Sequence, residues 1–551
     1  MASPLPKTES ASEGVEVDNL RPRLYPTGWR LHALTSGLCL SLLLSTLETT
    51  IVSTSLVSIV NDLHGFSQSG WVVTSYLLTY TGFLIIYAKL SDILGAKLMI
   101  MSAITLFTVF SIACGFANSI LSLIIFRAFQ GMGASGIYSL VSVITPMMVP
   151  PTKYATYIAV ISSVFAISSV MGPLLGGAIT DNSTWRWVFW LNGPAAAVVL
   201  PLFFFTIPFS FPYEKTPRFF SSLVSQRAWK RIDFLGAFLS LSASILLVFA
   251  LEQAGVVYPW KSGPIISTFV ISGVLFVTFL LWQRWLTLSD SAREPMFPWR
   301  LASDRFMLGL LLTGCLTGFP FMAAIIGIPQ RLQTVNGTTA VEAGIRLLPL
   351  ILCSPIATTL AGFLMSKLRI PPLYLVITGG ALQTIGIGLF SSLDSRNLQI
   401  PAAQYGYQVI MGFGFGFILS TIVLMVPLVV KQKDMAVAMG SVTQIRVLGG
   451  TIGLAICSAL LNNHITTEVS KILTPVEVQA LLRSFHSIKL LAPETQLEVR
   501  RVYAAGYNEQ MRVMLYFSIV SLLAILLLVE RNPRHMRTKE NGELVEPEGA
   551  R

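Results

Sequence analysis

Apolar runs of about 20 residues recur along this chain, each closed by charge, Pro, Gly or Asn, and this pattern constrains the fold more than any other feature. At a rise of 1.5 Å per residue, about 20 such residues carry a helix across roughly 30 Å of hydrocarbon. Fourteen runs of that size occur, at 33–59, 70–90, 98–117, 120–145, 154–180, 187–209, 233–252, 264–285, 306–329, 344–366, 371–392, 402–429, 437–461 and 512–530. The chain is therefore expected to be an all-α membrane protein with fourteen transmembrane helices. Its 53% hydrophobic and 12% charged residues agree, since soluble domains carry about 25% charged residues.

The cations fix the expected orientation. Lys and Arg collect in alternate connectors, among them Arg21, Arg23, Lys89, Lys97, Lys153, Arg227, Lys230, Arg231, Arg300, Arg305, Lys367, Lys431 and Lys433. The opposite short connectors hold only Arg186, Lys261, Arg331, Arg346 and Arg396. The positive-inside rule then puts both termini in the cytoplasm. The formal charge of +11 is a topology signal rather than a nucleic-acid surface, because it forms no continuous basic face. The sequons at Asn182 and Asn336 fall on the outer face and are glycosylation candidates. The acidic stretch before the first run lacks the basic n-region of a cleaved signal peptide. All five cysteines lie inside apolar runs, where a thiol is a small packing group.

The fourth and twelfth runs repeat one another. Arg127, Gly131, Gly133 and Pro146 in one correspond to Gln408, Gly412, Gly414 and Pro427 in the other, at the same spacing. Gly172–Gly177, reading GPLLGG, corresponds loosely to GGTIG at 449–453. Two pseudo-symmetric six-helix bundles are expected, with two linker helices inserted between them and a central cavity at their interface. The expected organisation is a tail over 1–30, the first bundle over 31–209, a loop at 210–232 and the linker helices over 233–286. A loop at 287–305, the second bundle over 306–530 with an outer loop at 462–511, and a tail over 531–551 complete it. The 468–511 stretch has apolar residues at helical spacing and is expected to fold over the outer mouth, as a structured linker or a gate.

Several motifs sit on these spans. AKLSDILGAKL at 88–98 keeps Leu90, Asp92, Gly95 and Lys97 of a G-x-L-a-D-r-x-G-r-k loop. RAFQGMGAS begins at Arg127, GPLLGG at Gly172, WRWVFWLNGP at Trp185, and LETTIV follows Thr46. Together they resemble the major facilitator superfamily, specifically its fourteen-spanner drug:proton antiporter branch as found in fungi. The resemblance covers nearly the whole chain. It implies a cytoplasmic gate loop at Asp92, Gly95 and Lys97, and an antiporter-motif helix at Gly172, Pro173, Gly176 and Gly177. It also implies export.

A charge at mid-bilayer costs about 2.5–3.5 kcal/mol, so Arg127 is expected to face a cavity or a partner. Glu48 on the first span lies at matching depth, roughly 18 Å from the outer end of its helix against roughly 14 Å for Arg127. Desolvation favours the neutral acid and the guanidinium favours the carboxylate. Glu48 is therefore the expected proton carrier and Arg127 its modulator, the alternative being a static interhelical contact. Arg446 is read as a substrate contact or a packing group. Tyr76, Tyr80, Gln130, Gln383, Gln408 and Gln444 are candidate cavity residues.

No enzyme reading gains support. There is no Gly-Lys dipeptide and hence no Walker A loop, and the five histidines show no metal-ligand spacing. The expectation is a proton-coupled exporter of small organic molecules, a fungal metabolite or toxin, energised by the proton gradient without a cofactor, monomeric, and in the plasma membrane with a vacuolar or vesicular membrane as the alternative. The runners-up are a siderophore transporter, a vacuolar basic amino-acid transporter and a non-transporting nutrient sensor.

Overall fold

A computed structural model describes residues 25–149, 154–208, 233–254, 258–289, 293, 295–297, 299–366, 368–430, 435–483 and 485–530. The expected tails beyond 25–530 and the 210–232 loop lie outside these residues. Among them the long helices, numbered in chain order, are α1 Trp29–Asp62, α2 Ser69–Leu94, α3 Ala96–Gly115, α4 Ile120–Met147, α5 Tyr154–Asn182, α6 Trp187–Thr206 and α7 Phe234–Gln253. They continue with α8 Gly263–Leu288, α9 Arg305–Thr334, α10 Ala340–Ser366, α11 Pro372–Ser391, α12 Ala403–Met425, α13 Met435–Val469 and α14 Pro493–Ile525. Twelve of these are long and apolar enough to cross a membrane. The other two, α2 and α5, are 26 and 29 residues long.

Helix starts follow from local chemistry. Ser119 and Ser122 form a reciprocal capping box at α4, and Asp304 accepts from the Met307 amide at α9. Asp233 accepts from the Gly236 amide at α7 and also binds Trp282 and Gln283, which ties α7 to α8.

The packing is paired. In the first half α1 lies on α5 and α6, α2 on α4, and α3 on α4 and α6; in the second α9 lies on α13 and α14, α10 on α12, and α11 on α12 and α14. The halves meet through α5 on α10, α13 on α2 and α1 on α9. Close approach demands glycine at two related places. A Cβ on Gly131 would run into the Tyr76 carbonyl of α2, and one on Gly412 would lie 2.6 Å from the Leu350 carbonyl of α10. Gly131→Leu is expected to destabilise the protein by about 1–3 kcal/mol through overpacking. Gly406→Leu, where an added Cβ meets nothing within 4 Å, serves as the control; melting of the detergent-solubilised protein compares them.

α7 and α8 are unlike the rest. α7 packs against α2, α13 and α8. α8 exposes Ile266, Val270, Val274, Val277 and Leu281, a single helical face suited to lipid.

The bundle is closed at the end where α1 stops and α2 begins. There Gln333 donates to the Thr54 carbonyl at 2.9 Å and Asn462 to the Ser67 carbonyl at 3.1 Å. Much of the 462–511 segment expected as a loop is helix, because extended α13 and α14 bury Ile465, Val469, Val499 and Tyr503. Between them a short helix, Pro475–Arg483, leads to Phe485. That ring packs with Phe66 and Tyr503 at centroid distances of 6.0 and 5.1 Å, and its amide donates to Asn61 at 2.8 Å. The segment thus caps the closed end and joins one half to the other.

Candidate functional site

α1 carries an unusually polar buried stripe that includes Ser41, Ser45, Glu48, Ser53, Thr54 and Ser55. Most of its hydroxyls bond back to carbonyls three or four residues earlier, as Ser53 does to Thr50, so they need no outside partner. Glu48 does need one. Its Oε1 accepts from Arg127 Nη1 on α4 at 2.6 Å, both side chains being fully buried. Its Oε2 accepts from the Asn192 amide on α6 at 2.9 Å.

Each partner is itself held. Arg127 Nε donates to the Val72 carbonyl at 3.0 Å, Nη1 also reaches Gln130 Oε1 at 2.9 Å, and the guanidinium lies 4.3 Å from the Tyr76 ring centroid. Asn192 also donates to Ser111, whose hydroxyl donates to the Phe189 carbonyl. Five helices of the first half therefore converge on one ion pair. Truncating either side chain strands the other in a buried site, which costs about 3–5 kcal/mol for buried pairs. The spacing expected from helix depth is realised, and Gln130 belongs to the same cluster.

A row of tyrosines leads away from this pair toward the second half. Tyr76 stacks with Tyr80 at 6.1 Å, and Tyr80 meets Tyr138 of α4 at 6.1 Å. Arg446 of α13 interacts electrostatically with Tyr80 across the seam. Two residues before Arg446, Gln444 donates to the Thr81 carbonyl at 3.0 Å.

The other candidate residues separate into several environments. Gln383 is buried between α11 and α14, where it donates to Ser518. Gln408 is fully buried and neither amide atom makes a hydrogen bond among the described residues. Gly172 and Gly176 bring α5 against Thr50 and Ile51 of α1; Gly177 and Pro173 meet Val341 and Gly344 of α10. The motif thus holds α5 between the two halves. Gly95 has φ of 90°, a conformation suited to glycine in the tight α2–α3 turn. Lys97 donates to the Phe204 carbonyl at 2.7 Å within the first half, and the Asp92 side chain lies outside the described residues. Asn182 is exposed, with its amide on the Ala178 carbonyl; Asn336 donates to the Leu398 carbonyl at 2.8 Å. A recess of about 510 Å3 lies between α3 and α6, lined by Lys97, Met101, Thr105 and Phe204, on the outside of the bundle and apart from the ion pair.

Two residues escaped the sequence reading. Asn192 stands inside the WRWVFWLNGP motif, where a buried amide after an aromatic run was the available signal. Asp181, at the end of α5, accepts from the Ala340 and Val341 amides at 3.2 and 2.9 Å and so caps α10 in the opposite half. No local pattern points to a cap supplied from another helix.

Residues 38–454 match the family model of the Major Facilitator Superfamily. The chain belongs to the Major Facilitator Superfamily. Membership makes it a multi-pass membrane transporter and not an enzyme. Within the superfamily it is 64% identical over 526 residues to the MFS-type transporter FPY5 of Fusarium mangiferae, covering 96% of this chain and 88% of that one. It is 30% identical over 553 residues to the MFS-type efflux pump MFS1 of Trichophyton rubrum, covering 99% and 97%. It is 32% identical over 480 residues to the efflux pump aunC of Aspergillus niger, covering 86% and 82%. Among solved structures, a bacterial homologue of the human lysosomal transporter Spinster, inward-facing and unoccupied, superposes with a TM-score of 0.60 at 16% identity, covering 91% and 98%.

Proposed function

We propose that this protein is a proton-coupled exporter of small organic molecules, most naturally a fungal secondary metabolite or toxin, working by alternating access. The observation that carries this reading is the fully buried Glu48–Arg127 pair inside the first half. A carboxylate paired, among the described residues, with one guanidinium changes its interhelical bonds when it takes a proton, and so links protonation to helix position. The relatives named as efflux pumps support export.

The architecture we infer is fourteen spans in two related six-helix bundles plus the inserted α7–α8 pair. The matched pairings support it: α2 on α4 as α10 on α12, and α5 on α10 as α13 on α2. Both termini are placed in the cytoplasm of a monomer in the plasma membrane, so the closed end is the outer one and cargo loads from inside. The chain needs no cofactor beyond the proton gradient and has no nucleic-acid partner. Cargo would lie between Arg446 and the Tyr80 and Tyr138 rings, an arrangement suited to a planar, weakly acidic compound.

Deleting the gene and measuring which metabolite accumulates identifies the cargo. Uptake of that compound into inverted vesicles should then require an imposed pH gradient and stop with a protonophore; gradient-independent uptake would overturn proton coupling. Arg446→Gln is expected to raise KM for an acidic cargo about 10–100-fold, the loss of one charge-assisted contact of about 1.5–3 kcal/mol, while leaving KM for a neutral analogue unchanged.

A further inference from the structure

α7 lays one face along the α2–α13 seam. Leu241 meets Gly82 of α2, Val248 clusters with Leu78 of α2 and Ala455 of α13, and Glu252 lies against Gly70 of α2 and Ser458 of α13. Spacings of seven and four residues put all three on one stripe. The first two are apolar, as a static strap requires, but the third is a carboxylic acid.

Glu252 is 2% exposed, and a Cβ added to Gly70 would lie only 2.6 Å from Oε1. Neither of its oxygens has a hydrogen bond of good geometry, although the Thr74 and Ser458 hydroxyls face it. No cation pairs with it among the described residues. The titratable group that faces it from α13 is the Cys457 thiol. α2 presents Gly70 and Thr74, and α8 packs on the far face of α7, where Ser272 binds the Ala243 carbonyl. Gly70, Cys457 and Ser458 also line a cavity of about 20 Å3, room for about one water.

We propose that Glu252 is a second proton-binding site, separate from Glu48, that is loaded when α2 and α13 close on α7 and emptied when this seam admits water. An ionised carboxylate without a cation is far costlier in a dry site than the neutral acid, so closure brings a proton in from the solvent at that end. Because the closed state binds one more proton than the open one, low pH favours closure and rising pH releases it, by up to about tenfold per pH unit. Glu252 thereby reports outer acidity to the seam, which the Glu48 pair inside the first half does not reach. The inference rests on the reading that the halves rock about this seam.

Cys457 supplies the test. In full-length protein with Cys39, Cys114, Cys315 and Cys353 changed to Ser, maleimide labelling of Cys457 is followed from about pH 5 to about pH 8 and divided by the rate for free cysteine. The normalised rate should rise with pH in this protein and in Glu252→Asp, and be low and flat in Glu252→Gln, whose amide mimics the protonated acid. An ionised Glu252 disfavours the neighbouring thiolate, so its direct charge effect opposes the expected rise. A flat profile with Glu252 present, or a Glu252→Gln profile that still rises, overturns the proposal. Glu48→Gln should keep the Cys457 response, which separates failure of this site from failure of coupling through Glu48.

Discussion

Glu48→Gln is expected to assemble and reach the membrane yet to lose pH-driven uptake in inverted vesicles by more than about tenfold, a barrier change above about 1.4 kcal/mol. The amide keeps a hydrogen-bond acceptor for Arg127 Nη1 and removes the group that binds a proton. Arg127→Ala is a different experiment. It leaves Glu48 buried without its cation, held by the Asn192 amide, so the site must carry an unpaired charge or take up a proton, and the expected loss is up to about 3–5 kcal/mol of stability. Adding Glu48→Gln to that variant should recover part of it, because no unpaired charge remains. Arg127→Lys should not substitute, since one ammonium cannot reach Glu48, Gln130 and the Val72 carbonyl with the geometry of the guanidinium. If Glu48→Gln transports with unchanged dependence on the gradient, Glu48 is not the coupling residue.

Asp181→Ala is expected to loosen the closed end. Its carboxylate caps two amides at the start of α10 from the other half, and a helix cap contributes about 0.5–2 kcal/mol. Losing it should shift the balance toward opening at that end by about 2–30-fold, with the lower part of the range favoured because the position is exposed and salt screens it. A cysteine at Ala340, which is 4% exposed, reads the change as faster maleimide labelling in an otherwise cysteine-free protein. Equal labelling with and without Asp181 would show that the closed end is held by Gln333, Asn462 and the Phe66–Phe485–Tyr503 rings instead.

The all-helical architecture and twelve of the expected spans were legible because hydrocarbon thickness sets a length that composition must satisfy. Matching Arg127 to Glu48 used a rise per residue, the cost of an unpaired charge and the fold that the family resemblance implies. The close helix contacts at Gly131 and Gly412 were legible because a missing side chain in an apolar run marks a place where a neighbour comes near. Asn192 was present in a motif already noticed, but an amide reads the same whether it binds lipid headgroups, backbone or a carboxylate. Asp181 and Glu252 were harder, because their partners lie in other helices and depend on how the halves dock. The Gln383 and Gln444 side chains, equivalent in type, face a bundle interior and the seam respectively, a distinction set by helix rotation that polarity alone does not encode.

Gln408 occupies the place in the second half that Arg127 holds in the first, buried and with both amide atoms idle. Under the proposed coupling through Glu48, this position of the second half offers no charge that would have to be neutralised in step with the first. Substitutions around Gln408 can therefore remodel the second half without touching a single hydrogen bond of the Glu48–Arg127 pair, whose partners all lie in the first.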